Sequence, residues 1–150
     1  RRAVPTPMVA VRKMLGFTKR YYMSYLPWDK PGKIEVISGA FMMLRRKAID
    51  QVGMLDEDFF MYGEDIDLSY RLLKGGWQNW YLPLDIIHYK GQSTVKSDFR
   101  YVHVFYQAML IFFRKHYSHL SFFFTLPVKI AIYFRASLAL VDLIRRKLHL

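Results

Sequence analysis

The pattern of apolar and polar positions predicts an irregular segment, a strand and a short helix in the first half of the 150-residue chain. The largely apolar run over residues 34–45 predicts a strand that is interrupted at Gly39. Residues 46–52 predict a short helix that ends at Gly53. Before residue 34, four prolines predict an irregular segment.

A helix, a strand and a loop are predicted next. Residues 64–74 predict a helix, since acidic side chains crowd its first turn and Gly75 and Gly76 follow its end. Residues 77–89 predict a second strand, with Pro83 as an irregularity. Residues 90–98 are polar and predict a loop.

The C-terminal third of the chain is apolar and basic. It predicts two long helices, near 99–116 and 126–148. Lys129 and Arg135 interrupt the apolar run over 120–140, which argues against a spanning helix. Polar residues instead recur at helical spacing, as on helices that lie in a membrane interface. The alternative is that the helices pack on each other, on another part of the protein or in a homodimer.

Composition narrows the class of protein. Hydrophobic residues make up 53% of the chain, which excludes intrinsic disorder, and the absence of cysteine excludes disulfides and thiolate metal sites. The net charge is +11, and residues 100–150 carry eight basic residues against one acidic residue. This charge predicts an anionic membrane surface as a partner. No nucleic acid is expected, because no recognition motif is visible and the tail is too apolar for a solvated phosphate-binding face.

Six of the twelve acidic residues fall between Asp56 and Asp67, in a segment with two Asp-x-Asp triplets. Such triplets can hold Mg²⁺ or Mn²⁺ on a sugar nucleotide, because hard cations prefer carboxylate oxygens. Within a helix, however, Asp65 and Asp67 lie about 200° apart and cannot share one ion. The alternative is that the acids of this helix only interact favourably with its dipole.

An ordered set of motifs gives the segment a more specific interpretation. The set is Ser38-Gly39-Ala40-Phe41, Gly53 with Asp56-Glu57, the run from Phe59 to Arg71, Gly76-Trp77, and His88-Tyr89-Lys90-Gly91-Gln92-Ser93. Over residues 34–116 it resembles the acceptor half of family-2 glycosyltransferases, above all their bacterial rhamnosyltransferase-like branch.

The resemblance implies a fold and an activity. The fold would be α/β: part of a GT-A, Rossmann-like sandwich with a mixed sheet in residues 1–98, followed by amphipathic membrane-associating helices in 99–150. The activity would be inverting transfer of a sugar from a nucleotide-sugar donor to a glycan or lipid-linked acceptor, in cell-surface polysaccharide biosynthesis. Nothing before Ile34 resembles the nucleotide-binding half of the family, so we expect a portion of a longer enzyme.

The resemblance also implies roles for individual residues. Asp65 would be the general base, with Glu64 beside it, and His88 would lie near the metal and diphosphate. The metal would be Mg²⁺ or Mn²⁺, with its main ligands in the missing half. The residues that would contact substrate are Ser38, Gly39, Ala40, Tyr62, Trp77, Lys90, Gly91 and Ser93. Phe60, Tyr62, Trp77 and Trp80 are each open to two interpretations, stacking on a sugar or packing in the core.

These implications place the protein peripherally on the cytoplasmic face of the inner membrane. The rival hypothesis is a non-catalytic module that binds a membrane surface or a partner protein, in which the acidic segment is only structural. The two hypotheses differ in whether a change at Asp65 abolishes sugar transfer.

Overall fold

The computed structural model describes residues 1–89, 99–120 and 122–148 of the chain. In chain order its elements are α1 (Pro7–Met14), β1 (Gly32–Ile34), α2 (Arg46–Val52), α3 (Glu64–Lys74), β2 (Asn79–Tyr81), α4 (Phe99–Tyr117) and α5 (Phe122–Leu148). These helices and the small sheet agree with the α/β class. Residues Arg1–Glu57 and Glu64–Ile87 form a first compact unit, and Asp58–Gly63 with His88–Leu150 form a second.

The first unit is built around α3. Strand β1 pairs antiparallel with β2, with Gly32 opposite Tyr81. Helix α2 packs on α3 through a cluster of buried side chains, which removes apolar surface from water and fixes the orientation of α3. The cluster comprises Ala48, Ile49, Leu68 and Leu72.

Helices α2 and α3 have the bounds that the sequence predicts. Helix α2 ends at Gly53, whose φ of 87° favours glycine. Helix α3 begins with three acidic residues and ends in a Schellman motif, in which Gly76 donates to the carbonyl of Leu73 and Trp77 to that of Leu72. Local capping signals therefore determine both ends.

The strand predicted over 34–45 is wrong beyond Ile34, apart from an isolated bridge between Arg2 and Val36. The physical reason lies in α3: Ser69 accepts a hydrogen bond from the backbone N–H of Ile37, and Asp65 accepts one from Gly39. Side chains replace a neighbouring strand as backbone partners, so no ladder forms here.

The second predicted strand is shorter than expected, and the sheet differs too. Strand β2 covers Asn79–Tyr81 rather than 77–89, and Pro83, which has no N–H to donate, follows it closely. The described strands run antiparallel and form no mixed sheet. One crossover helix usually joins neighbouring parallel strands. Here two helices, α2 and α3, lie between β1 and β2, and the two strands pair antiparallel.

The prediction of an irregular segment before residue 34 is wrong for residues 7–14, which form helix α1. Thr6 caps this helix by accepting a hydrogen bond from the backbone N–H of Val9 at 3.3 Å. Pro7 occupies the first helical turn, where its fixed φ favours helix and its missing N–H costs nothing. Proline marks a helix start here rather than a break.

The second unit is dominated by α4 and α5, which pack against each other. Both predicted tail helices are confirmed, although α5 begins at Phe122 and therefore contains Pro127, whose ring removes one backbone hydrogen bond. No helix within the described residues is sufficiently long and apolar to cross a bilayer. The functional boundary between 98 and 99 stays a prediction.

Candidate active site

Asp65 lies in the first turn of α3, in the first unit, and its side chain is almost fully buried. Its Oδ2 atom accepts a charge-assisted hydrogen bond from Nη2 of Arg2 at 2.6 Å and a second from the backbone N–H of Gly39 at 3.1 Å. Within the described part of the chain, neither donor binds Oδ1. The carboxylate is therefore held through one oxygen.

Arg2 reaches Asp65 because its own backbone is fixed by the bridge to Val36, whose N–H donates to the Arg2 carbonyl at 2.9 Å. Burial acts to lower the pKa of Arg2, but the nearby Asp65 and Tyr21 outweigh it and raise that pKa above its ordinary value. Sequence analysis missed Arg2. No local signal could have found it, since 63 positions separate it from Asp65.

The loop that carries Ser38, Gly39 and Ala40 lies on the same face of α3. Asp65 and Ser69, one helical turn apart, bind the backbone N–H groups of Gly39 and Ile37. A Cβ placed on Gly39 would lie 3.4 Å from Cβ of Asp65 and 3.8 Å from Oε1 of Glu64. Ser38, Gly39 and Ala40 are exposed, so three predicted residues form a small, accessible edge beside both carboxylates.

Glu64 is half-buried beside Asp65. Its Oε2 atom is shielded from solvent and has no hydrogen-bond partner among the described residues. Burial raises the pKa of Glu64, and the neighbouring Asp65 charge adds to this, against the lowering effects of a backbone hydrogen bond and Arg2. The structure thus places the two predicted residues side by side: Glu64 has one buried oxygen, Oε2, and Asp65 has an ordered carboxylate.

Asp67 faces away from this site. Its buried carboxylate accepts a 2.7 Å hydrogen bond from Nε of Arg71, four residues later on α3. The Arg71 guanidinium also donates to the carbonyls of Val52, Gly53 and Met54 at the end of α2. The second Asp-x-Asp triplet is thus split between a candidate site and a structural clamp, as the 200° separation predicts.

Trp77 and Tyr62, the two aromatic residues predicted to contact substrate, both pack against protein. Trp77 follows the C-terminal end of α3, contacts the α2–α3 core and donates from Nε1 to Gln51 at 3.0 Å. Tyr62 belongs to the second unit and lies edge-on to Tyr101 and Phe105 of α4. Sugar stacking by either side chain stays a prediction.

The remaining predicted residues lie beyond α3. His88 is exposed and belongs to the second unit. Lys90, Gly91 and Ser93 lie outside the described residues. In the described ranges, no three His, Asp or Glu side chains come together as a metal-binding group. The Mg²⁺ or Mn²⁺ that the resemblance implies, with its main ligands in another part of the enzyme, therefore stays a prediction.

Comparison with known proteins adds a family to this geometry. The model of the family described as glycosyl transferase family group 2 matches residues 4–144, which include the N-terminal segment where sequence analysis found no resemblance. No solved structure matches the chain.

Two curated relatives share part of the chain. It is 36% identical over 93 residues to an N-acetylglucosaminyl-diphospho-decaprenol L-rhamnosyltransferase of Mycobacterium tuberculosis, covering 61% of this chain and 30% of the relative. It is 33% identical over 81 residues to the rhamnosyltransferase WbbL of Escherichia coli K12, covering 46% of this chain and 31% of the relative. The chain thus spans just under a third of the length of each. Because the family match runs along almost all of its residues, the protein belongs to glycosyl transferase family group 2 and is rhamnosyltransferase-like.

Proposed function

We propose that the chain is the acceptor-side portion of an inverting GT-A glycosyltransferase that transfers a sugar from a nucleotide-sugar donor to a lipid-linked glycan acceptor. The observation that carries the proposal is the Asp65 carboxylate, ordered through Oδ2 with Oδ1 left for a ligand. The name of the mycobacterial relative describes rhamnosyl transfer to a diphosphate-linked lipid, which supports this class of acceptor.

Asp65 serves as the general base in this proposal. An acceptor hydroxyl oxygen bonds to the anomeric carbon of the donor while the bond from that carbon to the nucleotide diphosphate breaks. The hydroxyl proton moves to Oδ1 of Asp65, which makes the oxygen a competent nucleophile. Arg2 and Gly39 act as positioning groups, because they fix Oδ2 and thereby aim Oδ1.

The groups around Asp65 bind the acceptor. Glu64 accepts hydrogen bonds from acceptor hydroxyls, which would satisfy its buried Oε2. The small side chains of Ser38, Gly39 and Ala40 let a sugar ring approach the backbone beside both carboxylates. Substrate contact by Lys90, Gly91 and Ser93 stays a prediction.

Donor and metal binding need residues beyond this sequence in the proposal. The nucleotide-binding groups and the main ligands of Mg²⁺ or Mn²⁺ are assigned to another part of the polypeptide, since the aligned segment covers only 30% of the mycobacterial relative. His88 would add one imidazole near the diphosphate. The bound metal would stabilise charge on the departing diphosphate.

The test compares Asp65→Asn with wild type in the native-length polypeptide, whose mass is first measured in the source cell. With a nucleotide-activated L-rhamnose and an N-acetylglucosamine diphospholipid, we expect turnover to fall by about 10²- to 10⁴-fold. The matched control is Asp50→Asn, an exposed aspartate of α2 that pairs with Arg46, and it should retain turnover. Normal turnover by Asp65→Asn would contradict the role of Asp65 as general base.

A specific observation supports a second, compatible function, which is attachment to an anionic membrane surface. The side of α5 that faces away from its buried residues carries exposed apolar side chains at spacings of three and four: Ile130, Phe134, Leu138, Val141 and Ile144. Exposed Lys129, Arg135 and Arg145 accompany them. An interfacial helix combines these two features, and the proposed location is the cytoplasmic face of the inner membrane.

Vesicle flotation tests membrane attachment, and the cellular glycan made with Asp65→Asn distinguishes a transferase from the non-catalytic module. Binding to anionic vesicles, but not to neutral ones, should be lost in Phe134→Glu and kept in Asp65→Asn. If cellular glycan also survives Asp65→Asn, the chain is a non-catalytic membrane module. Dimerisation in solution that Phe134→Glu abolishes, without vesicle binding, would instead assign this face to a homodimer.

A further inference from the structure

A groove in the second unit is used by none of the functions above. It lies between loop residues 58–61 and one face of α4, and it encloses about 260 Å³. It is lined by Phe60 from the loop and by Arg100 and Gln107, which lie two helical turns apart on α4. Ala108 and Val104 contribute apolar surface.

The backbone next to this loop is held in a demanding conformation. Tyr62 and Gly63 both have positive φ, at 68° and 90°, and for a tyrosine this costs about 1–2 kcal/mol. Gly63 also lies so close to the ring of Phe59 that a Cβ would approach it to 3.0 Å. Edge-on contacts of Tyr62 with Tyr101 and Phe105 hold the turn on α4. The groove is therefore preformed by packing.

The groove offers one flat apolar surface and several planar polar groups. Phe60 is 70% exposed, and the Arg100 guanidinium lies over one face of its ring, 5.4 Å from the centroid, which leaves the other face to a ligand. Gln107 supplies both a donor and an acceptor. The Asp58 carboxylate also lines the groove and lies 2.6 Å from Nζ of Lys115.

This combination selects a class of ligand. A purely apolar ligand would desolvate the guanidinium, amide and carboxylate without replacing their hydrogen bonds. A phosphate would meet the Asp58 carboxylate and leave the aromatic face uncovered. A neutral sugar ring has an apolar face for Phe60 and hydroxyls that both donate and accept. Because 260 Å³ is just below the range for drug-sized ligands, one ring fits.

We infer that this groove binds one neutral sugar ring, with Phe60 stacking on its apolar face and Arg100, Gln107 and Asp58 binding its hydroxyls. The inference rests on the proposed function in taking this ring as a unit of the acceptor glycan.

The test is saturation-transfer NMR on the full chain with L-rhamnose, N-acetylglucosamine and D-glucose as separate probes, and inorganic phosphate as a competitor. We expect at least one sugar to bind with Kd of about 1–10 mM. Phe60→Ala and, independently, Gln107→Ala should each weaken binding at least about fivefold. The matched control is Phe134→Ala, an equally exposed phenylalanine on α5 of the same unit, which should bind as wild type does.

Three results would overturn the inference: no sugar receives saturation, phosphate displaces the sugar, or both groove variants bind like wild type. Gln107→Ala keeps the test decisive if Phe60→Ala fails to fold, because alanine favours helix at an exposed position. Asp65→Asn should retain sugar binding. If the groove binds sugar and Asp65→Asn keeps normal turnover, only the role of Asp65 as base is contradicted. If Asp65→Asn loses turnover and the groove binds no sugar, only the groove is contradicted.

Discussion

Helix α3 carries a buried aspartate on each of two faces, and the two aspartates have different partners. Asp65 and Asp67 share the first turn and are both buried. Asp67 takes its partner from its own helix, one turn away. Asp65 takes its partners from Arg2 and Gly39, which are distant in sequence. The surrounding elements, rather than the residue type, therefore decide what each carboxylate does.

The Asp67 face stabilises the fold. Arg71 links the buried Asp67 carboxylate to three carbonyls at the C-terminal end of α2, so it ties α2 to α3. The Asp65 face is accessible at its edge and leaves polar atoms of Glu64 and Asp65 without protein donors in the described residues. A helix clamped on one face can present unsatisfied groups on the other, as a binding site requires.

The largest effect that distinguishes the faces is expected for Asp67→Ala. Loss of the carboxylate strands a partly buried guanidinium and opens a cavity, so the free energy of unfolding should fall by about 3 kcal/mol. Urea unfolding of the chain measures this, with Asp50→Ala as control, since the Arg46–Asp50 pair is exposed and should contribute little. A loss below about 1 kcal/mol for Asp67→Ala would break the comparison.

The same two faces show what a sequence can predict. The ends of α2 and α3 follow from glycines and acids within a few residues of them, so local patterns determine them. The divergence of Asp65 and Asp67 follows from helical geometry alone. The Glu64-Asp65 pair and Gly39 were identifiable through the motif order of the family, and the structure places them side by side.

The rest depends on contacts between distant segments. Arg2 reaches Asp65 only because its backbone bridges Val36, and no pattern near Arg2 indicates this. The apolar run after Ile34 satisfies strand periodicity, yet Asp65 and Ser69 capture its N–H groups and prevent a ladder. Tertiary hydrogen bonds to side chains override local preference at the very loop that forms the candidate site.

A double-mutant cycle on Arg2 and Asp65 sharpens the comparison with a smaller effect. Arg2→Met, Asp65→Asn and the double variant should give a coupling free energy of unfolding of about 1 kcal/mol. The pair is more exposed than Asp67–Arg71, so solvent screens it more. Urea unfolding of all four proteins measures the coupling. Strict additivity would show that Arg2 does not hold Asp65 in solution.

The smallest effect concerns Glu64, whose pKa burial raises above its ordinary value of 4.5. As pH rises from there through the raised pKa, the folded state holds more protons than the unfolded state, so the free energy of unfolding falls. Glu64→Gln removes this loss. It should therefore raise Tm slightly at pH 7 and leave it almost unchanged at pH 3, where the carboxyl is nearly all neutral in both states. Thermal unfolding at both pH values measures the difference, with exposed Glu57→Gln as control. An equal gain in Tm at both pH values would assign the effect to packing. It would contradict a buried Glu64 charge that destabilises the folded state beside Asp65.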